Sequence, residues 1–303
     1  MVKAVERAHA IGADALQVFA DNPTAWRRRS EPPRELPAFR ARLVELGIAP
    51  VAIHAPYLVN LAGSDEGFFG RSVSVLANEL RAAPGFLARF VNVHIGSHRG
   101  SGVELGTARL ADGLELTLAE LDDGPDASMI VLENSVGGGF GLGTDVTELV
   151  GIAEAIAARG IPDARVGFCL DTAHAWGAGI DLASPDRADA FLDDFDRRIG
   201  LARLVMIHFN DSKVALGSHL DRHEHVGAGM IGATGLAHLL THPALEHVVY
   251  YLETPWMDEG YDEVNVARAR DMAAGRTLPE LPPEAMTVRG SRSRTEPPSG
   301  VEG

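Results

Sequence analysis

The chain has 303 residues, 46% of them hydrophobic, and a formal net charge of −15 at pH 7, which fits one large α/β domain and argues against a general nucleic-acid binder. Its one cysteine, Cys169, excludes an internal disulfide bond and favours a reducing compartment. Because no apolar run approaches about 18 residues and no secretory signal begins the chain, we expect a cytoplasmic protein without membrane contact.

Seven short apolar runs, rich in β-branched residues, predict strands that are buried on both faces of a parallel sheet. They cover residues 15–20, 51–55, 90–95, 129–134, 166–171, 204–209 and 248–253. Helical patterns fill the intervals, at residues 2–12, 37–47, 71–90, 106–123, 146–160 and 184–200. Strand and helix therefore alternate along the chain, which is the order that builds parallel βα units.

This alternation predicts a fold of the α/β class, a (β/α)8 TIM barrel that forms a single domain over residues 1–281. The chain begins with the helix that should follow strand one, so the first strand is missing from it. Either the start lies downstream of the true one, or the barrel is open between the first and last runs. Residues 282–303 are rich in Pro, Ser, Gly and Arg and predict a disordered tail.

Imidazole and carboxylate side chains recur where these apolar runs end. Seven stand at the ends of six successive runs or directly after them: His54, His94, Glu133, Asp171, His174, His208 and Glu253. Asp221 and His223 follow in the loop after the sixth of the seven runs. Because the C-terminal ends of parallel strands meet on one face of a barrel, we expect these nine side chains to form a metal site there.

The donor types indicate the metal and its chemistry. Imidazoles and carboxylates without thiolates favour Zn²⁺, with Mn²⁺ or Fe²⁺ as alternatives. The nine side chains are more than one tetrahedral ion can bind. Several ions that share a bridging carboxylate would neutralise a phosphate and activate water, which is the chemistry of phosphodiester hydrolysis. We interpret the remaining histidines as ordinary hydrogen-bonded polar residues: His9, His98, His219, His225, His238, His242 and His247.

Six segments that contain the proposed ligands resemble, in order and spacing, the endonuclease IV family of apurinic/apyrimidinic endonucleases. They are HAPYLVNLA (54–62), VHIGSH (93–98), LENSVGGG (132–139), GFCLDTAHAWGAGIDL (167–182), HFNDSKVALGSHLDRHEHVGAGMIG (208–232) and LETP (252–255). The resemblance implies a DNA repair enzyme, a zinc-dependent deoxyribonuclease on a TIM barrel. It would cleave double-stranded DNA on the 5′ side of an abasic site and leave 3′-hydroxyl and 5′-deoxyribose phosphate ends. We expect it to act as a monomer.

Carried over residue by residue, the resemblance implies a cluster of three zinc ions. Glu133 would bridge the first two ions and is also the implied catalytic residue. The first ion would further be held by His54 and His94, the second by Asp171, His208 and Glu253, and the third by His174, Asp221 and His223.

The resemblance also suggests side chains that contact DNA. Tyr57 matches the family position that stacks beside the damage, where only a flat ring face is needed. Lys213 and Arg222 flank proposed ligands and are expected to bind phosphate. The loop after the first run has Thr24 near the place where the family often inserts a side chain into the duplex. In the same loop, Arg27 and its two arginine neighbours either bind phosphate or form a solvated turn.

Two alternative functions remain open at this point. A sugar isomerase or epimerase of the same xylose isomerase-like superfamily would need one or two ions, for which Glu133, Asp171, His208 and Glu253 suffice. The two histidines at positions 54 and 94 and the DRH triplet at 221–223 argue against it, because such an enzyme would not need them. The second alternative is an inactive homologue that is disabled by the missing strand.

Overall fold

The computed structural model describes residues 1–121, 124, 127–255 and 260–286. Each of the seven predicted strands is confirmed, although several are shorter than the apolar runs that predict them. The strands are β1 (Leu16–Val18), β2 (Val51–His54), β3 (Ala88–His94), β4 (Met129–Glu133), β5 (Val166–Asp171), β6 (Leu204–His208) and β9 (Val249–Tyr251). A separate two-stranded ribbon consists of β7 (Asp211–Ser212) and β8 (His223–Glu224).

The seven strands form one parallel sheet in the order β1-β2-β3-β4-β5-β6-β9. Within the described residues, no strand pairing joins β1 to β9. We call this gap between β1 and β9 the open side. The fold is therefore a TIM barrel that lacks one strand, as the sequence predicts.

Helices cover the outside of the sheet because parallel strands need crossover connections. They are α1 (Val2–Ala10), α2 (Leu36–Leu46), α3 (Glu66–Ala82), α4 (Val103–Ala119), α5 (Val146–Ala158), α6 (Thr172–Ala178), α7 (Pro185–Arg198), α8 (Gly232–Leu240) and α9 (Tyr261–Ala273). Three of them, α6, α8 and α9, lie outside the predicted helical stretches. No helix among the residues that the structure describes is long and apolar enough to cross a membrane.

The helix predicted at 71–90 differs from the observed α3 at both ends. It begins five residues earlier, where the Asp65 side chain accepts a hydrogen bond from the backbone N–H of Phe68 and caps the first turn. It ends at Ala82, and a 3-10 turn over Ala83–Phe86 leads into β3. Pro84 explains this end, because a proline cannot donate the next helical hydrogen bond.

Two successive layers of side chains fill the barrel. The lower layer is apolar and consists of Ala52, Phe90, Val131, Cys169, Met206 and Tyr251. Side chains two residues apart point to the same face of a strand, so the next inward layer follows at a spacing of two. That upper layer is polar and consists of His54, Asn92, Glu133, Asp171, His208 and Glu253. The apolar layer thus forms the floor of the site, directly beneath the polar residues at the mouth of the barrel.

Side chains, rather than backbone hydrogen bonds, span the open side. The Tyr251 hydroxyl donates to the carbonyl oxygen of Pro50 at 3.0 Å, and the guanidinium of Arg270 pairs with Asp14 at 2.6 Å. A cavity of about 1050 Å³ begins at the mouth of the barrel and continues through this gap to the inner faces of α1 and α9. The open side is therefore a cavity bridged at a few points.

The end of the chain is partly described. Pro283–Met286 forms a 3-10 turn in which Ala285 is buried, and the Ala285 carbonyl lies 3.2 Å from Nε2 of His225. The first residues of the segment predicted as a tail are therefore packed against the barrel. Residues 287–303 lie outside the described residues, so their disorder stays a prediction.

Candidate metal centre

The nine predicted ligands lie together at the C-terminal mouth of the barrel, and Glu133 is at their centre. Its two carboxylate oxygens lie 3.2–3.6 Å from imidazole nitrogens of His54, His94, His174 and His208. The same nitrogen of His208 that faces Glu133, Nδ1, also lies 3.3 Å from Glu253. One buried carboxylate on β4 thus faces imidazoles that come from the ends of three other strands and from α6.

Two local structures bring Asp171, His174, Asp221 and His223 to this site. We call the nine proposed ligands together the ring around Glu133. Asp171 ends β5 and caps α6, because its side chain accepts a hydrogen bond from the backbone N–H of His174 at 2.8 Å. This cap fixes the ring of His174 one turn beyond the strand. The β7–β8 ribbon holds both ends of the loop that contains Asp221. In this ribbon, His223 Nε2 lies 3.1 Å from Asp221 Oδ1 and 3.6 Å from Asp171 Oδ2.

The donors fall into three overlapping groups whose ligand atoms lie within 4.8 Å of one another: His54, His94 and Glu133; Glu133, Asp171, His208 and Glu253; and Asp171, His174 and His223. Asp221 adjoins the third group, with its Oδ2 at 3.4 Å from His174 Nε2. The groups also differ in depth, since the side chain of Glu133 is 1% exposed and that of Asp221 is 52% exposed. The most exposed donors are therefore Asp221, beside the third group, and His94 of the first group, whose side chain is 38% exposed.

Backbone carbonyl oxygens and a side-chain amide oxygen orient the imidazole rings of the histidines. His54 Nδ1 lies 2.6 Å from the Ala55 carbonyl, and His223 Nδ1 lies 2.8 Å from the Glu253 carbonyl. A carbonyl oxygen can only accept, so these nitrogens each carry a proton and Nε2 is the nitrogen that a metal would bind. In His208 the roles are reversed, because Nε2 donates to Gln17 Oε1 at 3.1 Å and Nδ1 faces Glu133.

Three amide side chains that the sequence did not single out support the centre. Gln17 on β1 donates to Glu253, which follows β9, at 2.7 Å, and accepts from His208 on β6. These two contacts with proposed ligands cross the open side. Asn92 donates to Glu133 at 2.6 Å, and Asn210 donates to Asp171 at 2.8 Å. An inward-facing amide within an apolar run was the available signal, and it is visible for Gln17 in ALQVFA and for Asn92 in FVNVHI.

The electrostatics of the centre favour a bound cation. Burial opposes the charged form of Glu133, but the imidazoles of His208 and His94 outweigh it and hold its pKa well below the usual value. Burial likewise opposes a charge on His174, yet Asp171 and Asp221 raise its pKa well above the usual value. Protons therefore supply the positive charge that these carboxylates require, and a metal ion would replace them.

Buried atoms without a partner provide a test of fit. Several buried side-chain atoms of the described residues have no hydrogen-bond partner, and three of them are in the candidate groups: Glu133 Oε1, His208 Nδ1 and His223 Nε2. Leaving a buried polar atom unpaired costs about 1–3 kcal/mol. All three belong to the candidate groups, and each is an atom type that coordinates divalent transition metals. The residues present therefore fit a metal.

Metal uptake is expected to release protons and to weaken at low pH. Burial lowers the pKa of His223, but Asp171 and Asp221 outweigh it and raise that pKa to about 9. His174 and His223 are then protonated in the metal-free protein at neutral pH, and zinc must displace about two protons per chain. Affinity should rise as the pH approaches 9 and fall as it is lowered. Calorimetric zinc titrations in two buffers of different ionisation enthalpy measure this release, and identical heats would contradict it.

An aromatic group forms one wall of the mouth. The ring of Tyr57 is 57% exposed, and its centroid lies 5.4 Å from that of His54 and 5.5 Å from that of Phe19. Phe19 itself is 40% exposed and packs against His54. Tyr57 thus stands directly beside the proposed ligands with a ring face available to solvent, and Phe19 is a neighbour that the sequence did not single out.

The basic residues predicted to bind phosphate differ in their surroundings. Arg222 and Lys213 are both exposed, and the Nζ of Lys213 lies 3.8 Å from Glu224. In the loop after β1, Arg27 is exposed, whereas the side chain of its neighbour Arg28 is largely covered and pairs with Glu79 at 3.1 Å. The next arginine pairs with an aspartate of the same loop. Of the three consecutive arginines, only Arg27 extends to solvent without an ion pair within the described residues.

Known proteins are similar to this chain in both sequence and architecture. The sequence model of the xylose isomerase-like TIM barrel family matches residues 5–276. A protein of Methanoculleus marisnigri named probable endonuclease 4 is 40% identical over 271 residues, covering 89% of this chain and 94% of that protein. The solved structure of endonuclease IV from Thermus thermophilus matches with a TM-score of 0.77 at 36% identity, covering 90% of this chain and 94% of that one.

The fold is also shared by a more distant protein. A D-tagatose 3-epimerase-like protein matches with a TM-score of 0.67 at 17% identity over 91% of this chain and 92% of that chain, which shows a shared fold alone. The identity to the endonuclease 4 proteins is twice as high or more and extends over nearly their whole length. The chain therefore belongs to the endonuclease IV family of xylose isomerase-like TIM barrels.

Proposed function

We propose that this protein is an apurinic/apyrimidinic endonuclease that acts as a monomer in DNA repair. It would hydrolyse the phosphodiester bond on the 5′ side of an abasic site in duplex DNA and leave 3′-hydroxyl and 5′-deoxyribose phosphate ends. The observation that carries the proposal is the ring of three overlapping donor groups around Glu133, open to solvent beside the exposed Tyr57. The membership of this chain in the endonuclease IV family supports abasic DNA as the substrate.

We assign three zinc ions per chain to this ring, with Mn²⁺ or Fe²⁺ as possible substitutes. The first would be held by His54, His94 and Glu133, the second by Glu133, Asp171, His208 and Glu253, and the third by His174, Asp221 and His223. Such ions, when bound, lower the pKa of water and neutralise charge on phosphate. The presence of nine donors in place of four or five supports several ions over one.

The protein's own residues hold and orient this ring. Asn92 donates to one oxygen of Glu133 and leaves the other without a partner, so this carboxylate is fixed with a free oxygen directed into the ring. The apolar layer lies directly below these ligands. At the mouth, Asp221 and His94 are the more exposed members of the ring and are accessible to water and substrate.

The overall charge of −15 opposes DNA binding. Three divalent cations would add about six positive charges at the mouth of the barrel and reverse the field locally. Exposed Arg27 and Arg222, with Lys213 beside the β7–β8 ribbon, would then bind the backbone phosphates on either side. We therefore expect DNA affinity to depend on metal loading as well as on salt.

Tyr57→Ala is expected to weaken binding of abasic DNA by about tenfold or more, because stacking of one base on an aromatic ring contributes about 1–3 kcal/mol. The effect should raise KM more than it lowers kcat, since the ring is exposed beside the mouth of the barrel and is not one of the proposed ligands. Steady-state nicking of a fluorescent duplex measures both constants. Tyr57→Phe is the matched control and should retain full affinity; a loss equal to that of the alanine variant would show that stacking is not the role of Tyr57.

The proposal is tested with a duplex oligonucleotide that carries one tetrahydrofuran abasic analogue. This analogue cannot undergo β-elimination, so a nick on its 5′ side requires hydrolysis. We expect the nick with protein that holds about three zinc ions per chain. Metal-loaded protein that leaves the duplex intact but interconverts free sugars would favour the isomerase or epimerase. Intact DNA with little bound metal would favour the inactive homologue.

A further inference from the structure

A second cluster of metal-binding side chains lies on the outside of the barrel. Asp189 is on α7, His238 is in the last turn of α8, and His242 follows directly after that helix. All three are partly exposed, and none of them belongs to the ring around Glu133. From their sequence positions, the two histidines are expected only to form hydrogen bonds.

Both imidazoles are directed at the same carboxylate oxygen. His238 Nε2 lies 2.5 Å from Asp189 Oδ1, and His242 Nε2 lies 3.3 Å from that atom. The two ring centroids are 5.5 Å apart at an interplanar angle of 74°. One ligand atom from each residue lies within 4.8 Å of the others. Bonds of about 2.0–2.1 Å in a tetrahedral site place donors about 3.3 Å apart, so small side-chain movements would admit an ion.

The surroundings of the three side chains suit a cation. The hydrogen bond from His238 lowers the pKa of Asp189, which keeps this carboxylate ionised. The backbone N–H of Ala244 donates to Nδ1 of His242 at 3.3 Å, so the ring proton resides on Nε2. A metal at Nε2 displaces this proton to Nδ1, which ends the long contact from Ala244 and replaces the contact of Nε2 with Asp189 by coordination of both groups to the ion. The side chains are 21–44% exposed, which leaves room for water as the remaining ligand.

We propose that Asp189, His238 and His242 form a separate zinc site that fastens α7 to α8. Two imidazoles and one carboxylate are a donor set that Zn²⁺ accepts with water in the fourth position. The site is independent of the proposed nuclease activity. Its structural effect lies near the open side, because α8 packs against β9, where the Tyr250 hydroxyl donates to the Leu239 carbonyl. A bound ion would therefore hold the last strand of the sheet through its preceding helix.

The test compares zinc content at equilibrium. Wild-type protein and the variants Asp189→Asn and His242→Gln are dialysed against about 20 µM free zinc and analysed for metal. We expect each variant to hold about one zinc fewer per chain than wild type. Asp193→Asn changes an exposed carboxylate on the same helix and should leave the zinc content unchanged. Equal zinc content in wild type and Asp189→Asn would overturn the proposal.

A second measurement separates a metal site from a hydrogen-bonded contact. The amide introduced by Asp189→Asn keeps an oxygen that accepts from His238, so this variant retains the link between the helices without the charge that a cation needs. With the ring around Glu133 already loaded, added zinc should raise the unfolding midpoint of wild type by about 3 °C. The midpoint of Asp189→Asn should not move. The same zinc-dependent rise in both proteins would show that this cluster binds no metal.

Discussion

Replacing Glu133 with glutamine is expected to reduce nicking of the abasic-analogue duplex by about a thousandfold or more while the protein stays folded. Among the described residues, Glu133 is the only carboxylate that lies within 3.6 Å of all three imidazoles of His54, His94 and His208. A neutral amide cannot supply the charge or the second anionic oxygen that two neighbouring ions would share. Glutamine has the same shape, so the contact from Asn92 and the apolar layer below should persist.

The measurement is single-turnover cleavage, accompanied by circular dichroism and metal analysis. Glu154→Gln makes the same change on the exposed face of α5, the helix after β4, and should cleave at the wild-type rate. A folded Glu133→Gln protein that cleaves at full speed would refute the proposed role of this carboxylate. Slow cleavage with lower zinc content would assign Glu133 mainly to holding the ions.

Removal of the metal is expected to abolish nicking and to lower the stability of the fold. Ions held by several buried side chains leave slowly, so activity should decay over a prolonged incubation with chelator instead of at once. Each site occupied at a thousand times its dissociation constant contributes about 4 kcal/mol to the free energy of unfolding. The metal-free protein should also melt at lower temperature, because atoms such as His208 Nδ1 then remain buried without a partner.

Time courses of nicking and thermal melting after chelation measure both effects, and added zinc should restore them together. A chelator already saturated with zinc is the control and should change neither. Nicking that continues after metal analysis shows less than about a tenth of the original zinc would exclude a metal-dependent mechanism.

Much of the fold was predictable because its strands are short, apolar and evenly separated by helical patterns. The positions of the candidate ligands were predictable for the same reason: strand ends such as His54 and Asp171 must meet on one face of a parallel barrel. The period of two along each strand would also have predicted the floor below them. Cys169, for example, precedes Asp171 by two residues and lies in the apolar layer.

The remaining features depend on contacts between distant residues, which the sequence does not display. Gln17 lies within an ordinary apolar run and becomes a partner of Glu253 only because β1 and β9 face each other across the open side. Arg28 was grouped with its neighbours as a possible phosphate contact, yet a buried carboxylate 51 residues away pairs with it. The short helix α6 was hidden because its cap, Asp171, was already assigned as a ligand.

The open side also affects how the centre moves. Among the described residues, β9 has a strand neighbour along one edge only, so its amide groups should exchange with deuterated solvent faster than those of a strand paired on both sides. Glu253 lies two residues beyond this strand and belongs to the ring, so fluctuation of β9 carries one ligand away from the others. An ion bound through Glu253 would close the barrel mechanically where the sheet does not, and hydrogen exchange at Val249–Tyr251 would then report metal occupancy.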